Sequence, residues 1–194
     1  MMSTLTRTFR RWRARLKHWS EHAPVAIWAP LAVASLLLIP GILGLLTGTV
    51  LLFPSLGPTV FLQARNPSAA SASFRHVVGG HAIAVVVASA VVIALGARHT
   101  PEAFAMRELS QRRMWCAVVS VAVAALFELV FRVSHPPAAA TTLLIALGAF
   151  APTLHDIAVI TAGVVLVAFT GEGLRRLRLP DPIQEVFRPI DPPG

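Results

Sequence analysis

The stretch that decides the fold is Ser134-His135-Pro136-Pro137-Ala138-Ala139-Ala140-Thr141-Thr142. It places an imidazole and two prolines inside a chain of 194 residues that is 55% hydrophobic and only 13% charged. A soluble domain of this length needs a more highly charged surface, so the composition predicts an integral membrane protein. Polar residues at membrane depth usually mark a functional site, and His135 is therefore the first candidate.

Four segments around this stretch are long and apolar enough to cross a bilayer, which takes about 20 residues. They are residues 25–46, 76–97, 113–131 and 154–174. Two further apolar stretches, 51–62 and 135–150, are shorter, and each has prolines near its start, where a helix tolerates them. The sequence thus predicts an all-α integral membrane protein with four transmembrane helices and two short re-entrant or half helices.

The two short stretches also correspond to each other. Pro54 lies 82 residues before Pro136, and Thr59 lies 82 residues before Thr141. We interpret this as a weak two-fold internal repeat of span, short segment and span, and two spans in each unit predict parallel repeats. Matched short segments interrupted by Gly or Pro indicate the binding site of a transporter. Pro and Gly are, however, frequent in membrane helices in general.

Charge divides the chain into three parts. Residues 1–23 form a basic amphipathic tail that suits an anionic membrane surface, 24–178 form the transmembrane domain, and 179–194 form a Pro-rich tail. With four spans, both tails and the arginine-rich loop 98–113 lie in the cytoplasm, as the positive-inside rule requires. Counting the short segments as full spans would move that loop outside. The formal net charge of +8 therefore indicates a lipid bilayer as the partner rather than nucleic acid.

The candidate binding residues gather around the starts of the two short helices. A helix that begins inside the membrane directs unpaired N–H groups and the positive end of its dipole at one spot, which suits an anion. Gly79-Gly80, directly before His81, predicts a close approach of another helix or of a ligand. His81 could instead simply hydrogen-bond a helix carbonyl. The predicted substrate-binding residues are Ser55, Gly57, Thr59, Arg75, His76, His81, His135, Pro136, Pro137 and Thr141.

The acidic residues near the span ends are predicted to be neutralised locally. Glu128 precedes Arg132 by four residues, the favourable order for a pair on one helix, and Glu172 precedes Arg175 and Arg176. Glu128 could instead act as an intramembrane proton relay. The sequence contains no phosphate-binding loop, clustered metal ligands or nucleophile motif, so no enzyme activity, cofactor or metal is expected.

Three motifs, in this order, resemble those of the HPP family, which is named for its His-Pro-Pro sequence. They are Pro54-Ser55-Leu56-Gly57-Pro58-Thr59, Phe74-Arg75-His76-Val77-Val78-Gly79-Gly80-His81 and His135-Pro136-Pro137-Ala138-Ala139-Ala140-Thr141, within a similarity over roughly residues 25 to 175. The resemblance implies a small multi-helix membrane protein, here of the bacterial inner membrane with both termini cytoplasmic. A plant chloroplast relative is associated with nitrite transport. This chain has His76 where the family usually has Asn, and Ala139 where it usually has Gly.

Two functions from different classes fit these features. The leading hypothesis is a transporter or channel for a small, nitrite-like anion, with Arg75, His81 and His135 supplying charge and hydrogen bonds. The alternative is a non-transporting scaffold or partner subunit, in which the prolines and histidines only hold the helices together. A membrane enzyme using His135 would show turnover without flux. The small size of the chain favours a homo-oligomer.

Overall fold

The computed structural model describes residues 2–179 of the protein. Leu179 aside, the predicted Pro-rich tail therefore lies outside the described residues. Within the described range the chain is helical, with a short 3₁₀ turn at Ala70–Ala72 and no strand, which confirms the all-α class. The helices are α1 Met2–His22, α2 Val25–Thr47, α3 Leu56–Arg65, α4 Phe74–Ala94, α5 Ala103–Met106, α6 Gln111–Val130, α7 Ala138–Leu147 and α8 Leu154–Arg178.

Four of these helices, α2, α4, α6 and α8, are long and apolar enough to cross a membrane. Their bounds agree with the four predicted spans to within four residues. Large apolar side chains point outward from them, and Val86, Leu129 and Phe169 are each more than two-thirds exposed. Such a surface is stable in hydrocarbon, where the helix satisfies its own backbone groups. The chain is a multi-pass membrane protein.

The two short helices are α3 and α7, each ten residues long. Prolines stand just before both, Pro54 before α3 and Pro136-Pro137 before α7, because a residue without an N–H fits the first turn but not the interior of a helix. The chain is not helical from 48 to 55 or from 131 to 137. Both helices match over their full length at the offset of 82 residues, which confirms the internal repeat.

Both described ends of the chain lie on one side of the bundle, which we call the terminal face. The Ser20 hydroxyl at the end of α1 donates to the carbonyl of Leu177 at 2.6 Å. The start of α4 is on the same face, since the backbone N–H of Phe74 donates to Glu172 of α8 at 3.3 Å. The loop after α3 also reaches it, because Arg175 donates to the Pro67 carbonyl at 2.8 Å.

The opposite side, which we call the loop face, carries residues 95–110. Arg112 at the start of α6 donates to the Gly96 carbonyl after α4, at 3.0 Å. Arg113 donates to the Ala146 carbonyl at the end of α7, at 3.1 Å. The end of α4, the start of α6 and the end of α7 therefore meet on the loop face.

These contacts show that each short helix completes a crossing rather than returning to the face from which its segment entered. The 48–65 segment runs from the loop face into the membrane as irregular, non-helical chain and continues as α3 to the terminal face. The 131–147 segment runs the other way, through α7 to the loop face. Each repeat has three crossings, so the repeats are inverted. The predicted parallel repeats, and the placement of loop 98–113 on the same side as the termini, are wrong.

The two repeats are interlocked. Helix α4 of the first repeat packs mainly on α6 and α7 of the second, and α8 of the second packs on α2 and α3 of the first. The short helices thus lie in the interior, where Leu56, Val60 and Ile145 are almost fully buried. The interlocking brings the N-terminal ends of α3 and α7, which point in opposite directions, together in the core.

Candidate functional site

Five polar side chains form a connected, buried cluster where α3 meets α7. The Ser55 and Thr141 hydroxyls are 2.7 Å apart, and Thr141 lies 2.7 Å from His81 Nδ1. Thr59 Oγ1 lies 3.1 Å from both His81 Nε2 and His135 Nε2. All five side chains are at most 1% exposed. Because unpaired polar groups are costly in a hydrocarbon interior, this mutual pairing is what allows them to be there.

The histidine of the His-Pro-Pro motif is held from three directions. His135 Nδ1 is 2.8 Å from the Ser71 carbonyl, in the turn before α4. Its backbone N–H donates to Glu128 Oε2 at 3.2 Å, and its ring lies 5.0 Å from that of His81, centroid to centroid. The position and tilt of this imidazole are therefore set by contacts from several elements.

The predicted close approach at Gly79-Gly80 is confirmed. A Cβ on Gly80 would lie 2.6 Å from Cβ of His135, so no side chain fits between α4 and the segment before α7. Gly163 on α8 has the same role in the other half, where an added Cβ would lie 2.8 Å from the Phe53 ring. These two glycines let the interlocked repeats approach closely enough for the cluster to form.

The cluster breaks the internal symmetry. Thr59 and Thr141 occupy equivalent positions in the two repeats, and both contact His81. His135, by contrast, corresponds to Phe53 at the same offset of 82 residues. One half of the repeat interface is thus polar, and the other contains the Phe53 ring in edge contact with Phe150 at 5.6 Å.

The first backbone N–H groups of the short helices are not free, contrary to the prediction. Leu56 and Gly57 donate to the Phe53 and Pro54 carbonyls, and the first three N–H groups of α7 donate to carbonyls of residues 135–137 in the same way. Tight turns led by proline make these bonds, as helix termini often do. The donors available at this point are the side-chain hydroxyls and imidazoles, while the helix dipoles still point here.

The other predicted site residues lie at different distances from the cluster. His76 is half-buried, and its Nδ1 accepts the Ser134 N–H at 2.9 Å. Pro137 is buried at the start of α7, whereas Pro136 is exposed and Gly57 faces open space. Arg75 is exposed at the start of α4 and makes no hydrogen bond to the five clustered side chains.

Of the two predicted groups of ion pairs, the one at Glu172 is confirmed and the one at Glu128 is wrong. Glu172 pairs with Arg175 at 2.9 Å and with Arg176 at 2.7 Å, as expected. Glu128 does not pair with Arg132, because α6 ends at Val130 and Arg132 turns away with a φ of 52°. Its carboxylate instead holds the backbone of His135.

Gln63 and Arg113 are among the buried polar residues beyond the cluster that sequence reasoning missed. Gln63 is 2% exposed, packs on Gly171, and has an Oε1 without a hydrogen-bond partner among the described residues. The spacing of Ser55, Thr59 and Gln63 by four residues is the signal that could have found it. Arg113 is 4% exposed and contacts carbonyls of the 95–110 loop and of α7. Charge counting had grouped it with the other arginines of loop 98–113.

An open groove of about 630 Å³ lies beside the cluster, between α3, the turn at Ser71 and the start of α7. Arg65, Asn66 and Ser71 line it at the end of α3 and in the following loop, and Pro58, Pro136 and Pro137 line it near the starts of the short helices. The guanidinium of Arg65 lies 5.3 Å from the centre of the Phe61 ring. Among residues 2–179, no three His, Cys, Asp or Glu side chains are grouped as metal ligands.

The fold and the site define a class of protein: an integral membrane protein of two interlocked, inverted repeats, each with a broken crossing whose helical half starts in the core. The family described as "HPP, transmembrane region" matches residues 17–178, most of the chain. The chain belongs to the HPP family. No curated protein and no solved structure was found to match it.

Proposed function

We propose that this protein is a transporter or channel for a small, nitrite-like anion, in a bacterial inner membrane, with no enzymatic activity. One observation carries the proposal, the hydrogen bond of 2.7 Å between Ser55 and Thr141. It joins the N-terminal ends of two half helices that leave the core in opposite directions. Inverted repeats with broken helices are the organisation in which membrane transporters bind substrate near the midplane.

The chemistry at this point favours an anion. The positive ends of the α3 and α7 dipoles converge there, and each amounts to roughly half an elementary charge. The cluster offers hydroxyl and imidazole N–H donors, while its nearest carboxylate, Glu128, is engaged by the His135 backbone. A small anion that loses part of its water can regain hydrogen bonds from the Ser55 and Thr141 hydroxyls, which would turn from their present partners to the anion.

We propose the groove beside the cluster as the entry path from the terminal face. Arg65 stands at its terminal-face end, where a fixed positive charge raises the local concentration of anions. We place the terminal face in the cytoplasm, because α1, Arg65, Arg75, Arg132 and the end of α8 together outnumber the basic residues of the loop face. Arg65, Arg75 and Arg132 then satisfy the positive-inside rule. In a topology with only four spans, these three arginines would lie on the outer side.

Anion flux into proteoliposomes tests the proposal. Wild-type protein should move at least one of nitrite, nitrate, chloride and formate faster than empty liposomes. Thr141→Val should lower the rate about tenfold, since a lost hydrogen bond in this environment is worth on the order of 1.4 kcal/mol. Thr142→Val is the matched control, because the neighbouring Thr142 is equally buried but bonds only the Ala138 carbonyl of its own helix.

The competing hypothesis, a scaffold or partner subunit, predicts a different result. Wild type and both variants would then match empty liposomes for all four anions while remaining folded and monodisperse. That outcome would overturn the proposed transport. A reaction of the substrate without its movement would instead support an enzyme.

A further inference from the structure

The hydrogen-bond cluster has a fixed direction. The Ser71 carbonyl can only accept, so His135 Nδ1, at 2.8 Å from it, carries a hydrogen. In the neutral ring His135 Nε2 is then an acceptor. The single Thr59 hydroxyl proton is within reach of both this nitrogen, at 3.1 Å, and the Ser55 carbonyl, at 3.0 Å, and only the orientation toward His135 gives the ring nitrogen a donor. The Ser71 carbonyl thus sets the tautomer of neutral His135, and this tautomer favours a Thr59 hydroxyl that points at the ring.

The same reasoning continues through the remaining members. Thr59 has given its proton to His135, so it accepts from His81 Nε2–H at 3.1 Å. His81 Nδ1 is then an acceptor for the Thr141 hydroxyl at 2.7 Å, and Thr141 accepts from Ser55 at 2.7 Å. The order of donation is Ser55, Thr141, His81, Thr59, His135 and the Ser71 carbonyl. Thr141, His81, Thr59 and His135 each donate and accept, which is the requirement for passing a proton along a chain, while Ser55 begins the chain as a donor and the Ser71 carbonyl ends it as an acceptor.

The Ser55 carbonyl provides a second acceptor for the Thr59 hydroxyl, which is required when a proton is added to the cluster. Thr59 Oγ1 also lies 3.0 Å from the Ser55 carbonyl of its own helix. If a proton binds to His135 Nε2, the imidazolium donates to Thr59, and the Thr59 hydroxyl turns to the Ser55 carbonyl. All hydrogen bonds remain satisfied in both states, and no heavy atom has to move.

The groups around His81 and His135 determine which counter-ion a protonated His135 would have. The titratable groups facing the two rings are Glu128 on α6, bonded to the backbone N–H of His135, and His76 on α4, bonded to Ser134. The other contacts, from α3, α7 and the turn at Ser71, are hydroxyls and a carbonyl. An imidazolium buried here needs a negative partner, and a substrate anion at Ser55 and Thr141 would provide it.

We infer that the cluster carries one proton together with each anion, held on His135 while the Thr59 hydroxyl turns to the Ser55 carbonyl. The inference rests on the proposed function and names its coupling ion. One proton moves with one anion, so transport is electroneutral. The proton binds a nitrogen lone pair and leaves from it, and no other bond changes.

A first experiment tests the cluster without transport. The full-length protein, ¹⁵N-labelled at its seven histidines, is measured by solid-state NMR in lipid bilayers, with signals assigned by their loss in His81→Gln and His135→Gln. We expect opposite neutral tautomers, Nδ1–H on His135 and Nε2–H on His81. On acidification His135 should become doubly protonated, and Thr59→Val should abolish this while Thr59→Ser preserves it. Identical tautomers on the two rings would overturn the inference.

A second experiment measures coupling. Proteoliposomes containing a pH-sensitive dye receive an inward gradient of nitrate, or of nitrite with empty liposomes correcting for unaided passage of nitrous acid. We expect internal acidification with one proton per anion, at a rate unchanged by valinomycin and potassium. Thr59→Val should reduce the acidification to that of empty liposomes, whereas Thr142→Val should retain it.

The two possible failures are distinguishable. Anion flux that leaves the internal pH unchanged and requires valinomycin overturns the coupling and leaves the proposed function standing. No flux of any anion overturns the proposed function and the coupling together.

Discussion

Ser55 and Thr141, 86 residues apart in the chain, share a hydrogen bond of 2.7 Å at which two half helices meet end to end. Helix α3 leaves this point toward the terminal face and α7 toward the loop face. The contact thus joins the N-terminal ends of two half helices that belong to different repeats and run in opposite directions.

Inversion of the repeats predicts which loops share a side of the membrane. In a Cys116→Ser background, cysteines at the exposed positions Ala14 and Asn66 should be labelled from the same side, and one at His99 only from the other. The physical reason is that residues 48–65 complete a crossing. A membrane-impermeant thiol reagent applied to sealed vesicles of each orientation makes the measurement. Labelling of Asn66→Cys and Ala14→Cys from opposite sides would restore the four-span topology.

Gly80→Ala is expected to destabilise the protein. The added methyl would lie 2.6 Å from Cβ of His135, and such overpacking typically costs about 1–3 kcal/mol. Thermal unfolding in detergent, followed by circular dichroism, measures the loss. Gly173→Ala on α8 is the control, because no neighbouring atom lies within 4 Å there and alanine favours a helix. Equal effects of the two substitutions would contradict the close approach.

Arg113→Ala should also destabilise the fold, by about 2–4 kcal/mol. The buried guanidinium donates to the carbonyls of Thr100 and Ala146, at the C-terminal end of α7, and hydrogen bonds from a charged donor are among the stronger ones. Its removal leaves these carbonyls without a partner beside Gly148, which ends α7 with a φ of 98°.

The neighbouring Arg112 is the matched control for this prediction. It is exposed and, among the described residues, hydrogen-bonds only the Gly96 carbonyl. Arg112→Ala should therefore cost less than about 1 kcal/mol. A loss of stability as large as that of Arg113→Ala would mean that charge on the loop face, rather than the α7 contact, is what matters.

Glu128 and Arg132 should behave as independent residues. Glu128→Ala removes the acceptor of the His135 backbone N–H and should lower stability by about 1–3 kcal/mol, while Glu128→Gln should retain most of it. Arg132→Gly should be neutral or stabilising, because glycine suits the φ of 52° at this position. Chemical unfolding of the single and double variants provides the measurement, and a coupling energy above about 0.5 kcal/mol would restore the ion pair.

Much of the site could be predicted from sequence. Ser55, Thr59, His81, His135 and Thr141 were all selected, because polar side chains beside helix-breaking prolines stand out in an apolar chain. Arg75 was selected with them for its charge alone, and in the fold it is exposed outside the cluster. The Ser71 carbonyl could not be selected, since any residue offers a carbonyl and only the fold decides where it points.

The sequence by itself determined the membrane class, the four spanning helices, the two short helices and their repeat, because these depend on local hydrophobicity and on proline. Only the tertiary structure decided that the repeats are inverted and interlocked, and that Glu128 serves His135 instead of Arg132. A hydropathy profile depends on how many consecutive residues are apolar. It contains no information on the direction in which a segment runs through the membrane. A non-helical stretch followed by a half helix therefore has the same hydropathy whether it turns back or crosses the membrane. The direction is settled by contacts between distant residues, such as Arg113 with Ala146 and Phe74 with Glu172.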